Sequence, residues 1–122
     1  MARKPRSAQA QIARSLTEKA FQSNVVDAAR KLGWMVHHSR TARILRKDGT
    51  AFYATPLQGD PGFPDLVLVK GKRILWRELK TEQGTLTDEQ HEWQVRLLWA
   101  GADYAIWRPS MMDEIVVELH RR

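Results

Sequence analysis

The run Pro64-Asp65-Leu66-Val67-Leu68-Val69-Lys70-Gly71-Lys72-Arg73-Ile74-Leu75-Trp76-Arg77-Glu78-Leu79-Lys80 decides the fold. Two apolar stretches, residues 65–69 and 74–79, flank Lys70-Gly71-Lys72-Arg73 and predict an antiparallel hairpin. Three charged residues stand where such a strand pair should be apolar: Asp65 at the head of the first stretch, Glu78 and Lys80 at the tail of the second. Burying charges unpaired is costly, so their presence needs a reason. Glu78 and Lys80 are two apart and share a face. A loop of two or four residues puts Asp65 on that face too, and with four it lies directly opposite Glu78; a loop of three flips it away. Because the apolar runs stop at Val69 and resume at Ile74, four is expected. Two carboxylates and one ammonium then converge at one end of the hairpin.

On the N-terminal side, Ser15-Leu16-Thr17-Glu18 fits a capping box, and a helix over residues 16–32 follows. Phe21, Val25, Ala28 and Leu32 form its inward stripe, and Gly33 takes the position that closes it. Residues 34–38 read as a short strand, and residues 43–54 as a basic hairpin turning at Asp48-Gly49. A Gly/Pro-rich loop, residues 56–64, leads into the deciding stretch. Beyond it, Thr87-Asp88-Glu89-Gln90 is a second capping box, opening a helix with Trp93, Leu97 and Ala100 inward. Residues 104–107 predict a strand, and residues 110–119 a terminal helix. The order is that of an α/β layered domain.

The 122 residues carry 20 Lys+Arg against 14 Asp+Glu, a net charge of +6, and no cysteine. That length suits one domain. The absence of cysteine excludes disulfides, thiolate zinc sites and thiol nucleophiles, and fits a reducing compartment. Neither an uninterrupted apolar span nor an apolar stretch behind Met1-Ala2-Arg3-Lys4-Pro5-Arg6 is present, so the expectation is a cytoplasmic protein with no membrane partner. Residues 1–80 hold 16 Lys+Arg and 6 Asp+Glu, whereas residues 81–122 hold 4 and 8. A basic excess points to a polyanionic partner, nucleic acid before others. Residues 1–14 are expected to be a basic flexible tail and residues 15–122 a single domain.

Two carboxylates beside a lysine suit metal-assisted phosphodiester hydrolysis. Carboxylate oxygens hold Mg²⁺, which activates a bound water and neutralises charge on the phosphate. A neighbouring lysine orients that water. Such chemistry requires neither a nucleophilic side chain nor an organic cofactor.

Pro64-Asp65, followed after twelve residues by Glu78-Leu79-Lys80, resembles the PD-(D/E)xK nuclease signature. Within that superfamily, the chain is similar to the virus-type replication-repair nuclease branch (VRR-NUC), in its standalone phage or bacterial form. The likeness rests also on Glu18 in the leading helix, Gly62 before Pro64-Asp65, and Leu86-Thr87-x-x-Gln90 opening the later helix. It departs from the RecB-like branch, whose Tyr one turn after the Gln is here Gln94. The resemblance implies a restriction-endonuclease-like core, a mixed sheet of about four strands flanked by helices, with the basic hairpin added. It implies that Asp65, Glu78 and the backbone carbonyl of Leu79 bind Mg²⁺, for which Mn²⁺ substitutes, with Glu18 joining directly or through water. Lys80 would then place the water, and Gln90 would orient Lys80 or a phosphate oxygen. It further implies a homodimeric endonuclease acting on branched DNA such as Holliday junctions, in a bacterial cytoplasm and in some cases phage-encoded.

Glu and Gln at the third position of a capping box also have an ordinary explanation, so Glu18 and Gln90 each have two readings. Arg40, Arg43, Arg46 and Lys47 cluster on or beside the Asp48-Gly49 hairpin and, with Lys72 and Arg73 at the other hairpin tip, are expected to meet the DNA backbone. Against this stands the reading of a solvated edge protected by charge. His37 and His38 are adjacent on a strand, point to opposite faces and do not chelate one ion together. The five Trp residues fall mostly on apolar stripes, so core burial is expected before base stacking, with one or two left for a subunit interface. Two rival functions remain open, a non-catalytic nucleic-acid-binding module of the same fold and a nuclease acting on flaps or RNA.

Overall fold

The expected hairpin forms the middle of a four-stranded sheet. The computed structural model describes residues 8–39, 42–45, 47–54 and 59–121, with the side chains of residues 8–18, 42–45 and 52–54 outside that description. The elements are α1 (Ala8–Lys31), β1 (Met35–His38), β2 (Ala42–Leu45), β3 (Ala51–Ala54), β4 (Leu66–Lys70), β5 (Arg73–Leu79), α2 (Asp88–Trp99), β6 (Asp103–Trp107), a 3-10 turn (Pro109–Met111) and α3 (Met112–His120). The main sheet has the order β1-β4-β5-β6, while β2 and β3 pair separately. The β1/β4 and β4/β5 pairs are antiparallel and β5/β6 is parallel. A parallel pair needs a crossover, and α2 supplies it. The result is an α/β core with a mixed four-stranded sheet flanked by helices, consistent with a restriction-endonuclease-like core.

Pairing in the hairpin runs from Lys70↔Arg73 to Leu66↔Arg77. One step further sets Asp65 opposite Glu78, the register expected from four intervening residues. The turn itself is tighter, only Gly71 and Lys72, with Gly71 at φ 58°. Glycine at the first central position of a two-residue turn accepts this left-handed backbone at no steric cost. Lys70 and Arg73 join the ladder because their stems have apolar work to do. The Lys70 ammonium stands 5.9 Å and the Arg73 guanidinium 5.3 Å from the centre of the Trp34 ring.

One sheet face buries Leu66, Leu68 and Leu75 against Phe21, Val25 and Ala29 of α1 and Ile115 and Leu119 of α3. Trp34 and Trp107 complete this core. The Trp34 ring N–H donates to the carbonyl of Leu119 at 2.9 Å, tying the end of α1 to the end of α3. Arg77 also points to this face and is only 3% exposed. It is accommodated by donating to the backbone and side chain of Asp103 and by lying 5.0 Å from the Trp107 ring centre.

The opposite face carries Trp76 and Glu78, and residues 60–64 lie over it. Phe63 stands edge-on to both Trp76 and Trp93, at 5.9 and 5.1 Å between ring centres. The Trp93 ring N–H donates to the Pro61 carbonyl at 3.0 Å. Gly62, at φ 91°, lets this loop touch the backbone of α2, since a Cβ there would sit 2.4 Å from the carbonyl carbon of Glu89. Loop and helix are thereby locked together above the hairpin's acidic end.

Two expectations are corrected. α1 begins at Ala8, so Ser15 and Glu18 lie inside the helix and do not cap it. The upstream residues Ala8-Gln9-Ala10-Gln11-Ile12-Ala13-Arg14 are good helix formers, and they continue the helix through the part assigned to the tail. In α2, Trp93 and Leu97 are half-buried but Ala100 is exposed, and no residue of the helix is fully buried. The helix ends at Trp99, so Ala100 belongs to its C-cap, past the packed turns. Trp99 itself is 92% exposed. Among the described residues, no helix is long and apolar enough to cross a membrane.

Candidate active site

Asp65 directly precedes β4, and Glu78 is the penultimate residue of β5. The Asp65 carboxylate accepts the backbone N–H of Leu79 at 2.9 Å, clasping the head of one strand to the tail of the next. Glu78 is 2% exposed. Its Oε1 accepts from the Gln90 amide at 3.2 Å, and its buried Oε2 has no hydrogen-bond donor. The Glu78 carboxyl is pushed up to about 9, first by burial and then by the neighbouring Asp65, with Lys80 opposing. Burial and the two carboxylates likewise push the Tyr104 phenol up to about 12. Tyr104 pairs with Trp76 across β5 and β6, one diagonal from Glu78.

Lys80 points to the same side as Glu78, as strand parity requires. Its ammonium donates to Gln90 Oε1 at 2.7 Å, and that oxygen also accepts the Thr87 N–H at 3.0 Å. The Thr87 hydroxyl in turn accepts the Gln90 N–H. Gln90 thus both closes the capping box of α2 and bridges Lys80 to Glu78. Capping fixes the first turn of α2, and the fixed turn aims the amide into the site.

The donor set can be tested for a divalent cation. Two carboxyl groups side by side, one of them desolvated with an orphaned oxygen, form an arrangement that a hard cation stabilises and that neutral surroundings do not. Asp65, Glu78 and the adjacent Lys80 fit this chemistry. Among the described residues no third His, Asp or Glu completes the set. Glu18 lies four residues before Gln22 in α1, and its side chain is outside the described residues. Since Glu18 is no longer at a helix start, the capping explanation for it falls away.

The expected DNA contacts separate into groups. Arg40, Arg46 and the Arg43 side chain lie outside the described residues, as does any basic surface they form. Lys47 is exposed. Lys72 is exposed at the hairpin turn, six residue steps from Glu78, or about 20 Å along the strand. Arg73 at the same tip forms an ion pair with Glu118 and donates to the carbonyls of Glu118 and Arg121. It thus serves the C-terminal end of α3, where cations complement the helix dipole.

Several residues around the site are not legible in the sequence. Arg108 donates to the carbonyls of Thr81 and Gly84 at 2.5 and 2.8 Å, pinning the loop between Lys80 and α2. Glu82 accepts from the backbone and hydroxyl of Ser110. These partners are 24 to 28 residues apart, and no local pattern announces them. Gln22, by contrast, has a signal: it is one helical turn after Glu18. No family model, curated protein or solved structure matches the chain.

Proposed function

We propose that this protein is a divalent-metal-dependent endonuclease of the PD-(D/E)xK type, of the VRR-NUC branch, hydrolysing phosphodiester bonds in branched DNA such as a Holliday junction. The observation that carries this reading is the buried Glu78 carboxyl beside Asp65, with an unmatched Glu78 oxygen and Lys80 tethered beside it by Gln90. Asp65, Glu78 and the Leu79 carbonyl, joined by Glu18, hold Mg²⁺ or Mn²⁺. The ion supplies a water of lowered pKa and positive charge at the phosphate when bound. Lys80 orients the attacking water, and Gln90 fixes Lys80 through Oε1 while bracing Glu78 through Nε2. The water oxygen bonds to phosphorus as one sugar P–O bond breaks, leaving a phosphate end and a hydroxyl end. Arg40, Arg43, Arg46, Lys47 and Lys72 supply backbone contacts. A homodimer would present two such sites to two strands, and exposed Val95, Leu98 and Trp99 on α2 offer an apolar face for it.

The test is a panel of labelled four-way junction, flap, duplex and single-stranded DNA, with flap and single-stranded RNA beside them, incubated with Mg²⁺, with Mn²⁺ and with EDTA. Metal-dependent products from the junction, lost in Asp65→Asn, Glu78→Gln and Lys80→Ala while DNA retardation persists, support the reading. Retardation without product in either metal identifies a binding module instead, and preferential cutting of flap or RNA moves the substrate class.

A further inference from the structure

We infer that α1 carries a second working face, centred on Gln22, which forms one wall of a groove that guides a single unpaired nucleic-acid strand past Asp65 and Lys80. The inference rests on the nuclease reading above for the identity of the strand, and on the shape of the molecule for its path. α1 buries Phe21, Val25 and Ala29 in the core. Lys19, Gln22, Ser23, Asp27 and Arg30 follow the spacing of an adjacent helix face, three to four residues apart or side by side. With Asp65 they line a cleft of about 630 Å³. A second cleft, about 260 Å³, is lined by Phe21, Gln22, Leu79, Lys80 and Thr81.

Gln22 lines both clefts, and Asp65 of the larger accepts the backbone N–H of Leu79 in the smaller. A ligand lying in both would therefore pass between Gln22 and the group formed by Asp65, Leu79 and Lys80. The larger volume is that of a small-molecule site, and the smaller lies just below that range. One strand fits such a groove, one or two nucleotides to a cleft, and the two strands of a duplex do not. The chemistry of the wall suits a strand of any sequence. Lys19 and Arg30 are exposed at the rim for phosphates, Gln22 and Ser23 offer an amide and a hydroxyl, and Asp27 limits the positive charge. The Gln22 side chain is half-buried and makes no hydrogen bond to other described residues, which leaves its amide for the ligand.

The experiment uses the full chain with Ser23→Trp, which fills the larger cleft from an exposed helix position, and Gln22→Leu, which keeps size and removes the amide. Binding of fluorescent oligothymidylate is followed by anisotropy in EDTA, and a blunt duplex closed at both ends by non-nucleotide linkers, with no unpaired bases, is the second probe. Thermal melts confirm that both variants fold. Ser23→Trp is expected to weaken oligothymidylate binding about tenfold and Gln22→Leu about threefold, with duplex binding unchanged. Unaltered oligothymidylate binding in both folded variants, or equal losses for the duplex, overturns the groove. Loss of oligothymidylate binding by a wild-type-like fold supports it even if the wild type cuts none of the panel, an outcome that removes the nuclease reading alone. Metal-dependent cutting abolished by Asp65→Asn, with oligothymidylate binding unaltered in both variants, removes the groove alone.

Discussion

Gln90 joins Lys80 to Glu78: its Oε1 accepts the Lys80 ammonium at 2.7 Å and its Nε2 donates to Glu78 at 3.2 Å. One side chain thus holds a cation and a buried carboxyl in fixed relation, while the same oxygen caps α2 through the Thr87 N–H. Capping and positioning can be separated by substitution. Gln90→Glu keeps an acceptor for both Lys80 and Thr87 but loses the donor to Glu78 and adds a third carboxylate. Gln90→Ala loses the contacts to Lys80, Glu78 and the Thr87 N–H, the last being the reciprocal half of the capping box, while the Thr87 hydroxyl still accepts the backbone N–H at position 90. The expectation is that Gln90→Glu retains the cap yet loses ten- to a hundredfold in cleavage, the usual cost of disturbing groups that orient metal ligands. Steady-state rates beside thermal melts check this, and wild-type rates in Gln90→Glu would reduce Gln90 to a helix cap.

Gly62 is the backbone counterpart of that arrangement. Its φ of 91° and the 2.4 Å separation that a Cβ would have from the Glu89 carbonyl carbon leave no room for a side chain. Gly62→Ala is expected to destabilise the fold by about 3 kcal/mol, combining left-handed strain with overpacking against a backbone that does not yield. Because Glu89 adjoins Gln90, cleavage should fall further than stability alone explains. Denaturant unfolding, with rates measured where the variant is fully folded, distinguishes the two effects.

Lys72 and Arg73 are neighbours in sequence with different duties. Lys72→Ala should leave unfolding unchanged and reduce the salt slope of DNA binding by about one charge. Arg73→Ala removes an ion pair and two carbonyl contacts at the end of α3, and should cost about 1–2 kcal/mol in stability. Salt titrations of binding and urea midpoints for the two variants test the division; a stability loss in Lys72→Ala and none in Arg73→Ala would reverse it.

How much of this was legible follows from the range of each signal. The hairpin register came from strand parity and from the positions of Val69 and Ile74, and parity alone brought Asp65, Glu78 and Lys80 together. The turn is one pair tighter than the apolar runs predict, because charge at Lys70 and Arg73 conceals stems that pack on Trp34. The capping box at Thr87 held, since nothing helical precedes it. The one at Ser15 failed, because good helix formers lie before it. The roles of Arg77 and Arg108 are not legible locally, since their carbonyl partners belong to distant loops and strand ends. Glu78 illustrates both limits: its face was readable, while its near-complete burial depends on α2 and residues 60–64 closing over the sheet.

That burial gives Glu78 a measurable effect on stability. Its carboxyl is pushed up to about 9 in the folded chain from an ordinary value of 4.5. Between these pH values the native state keeps a proton that the unfolded chain has released. Stability must therefore fall as pH rises through this window, by at most about 1.4 kcal/mol per pH unit from this group. Glu78→Gln, uncharged throughout, should lack this component, so the difference between wild type and variant should shift steadily toward the variant from pH 5 to pH 8.5. On the proposed function a divalent cation takes the place of the proton, so added Mg²⁺ should raise the wild-type melting temperature more at pH 8.5 than at pH 5 and release protons as it binds. Melting curves of both proteins across that range, with Mg²⁺ and with EDTA, provide the check. Parallel pH profiles for the two would mean that Glu78 is ionised in the metal-free fold, and a Mg²⁺ effect equal in both would place the ion elsewhere.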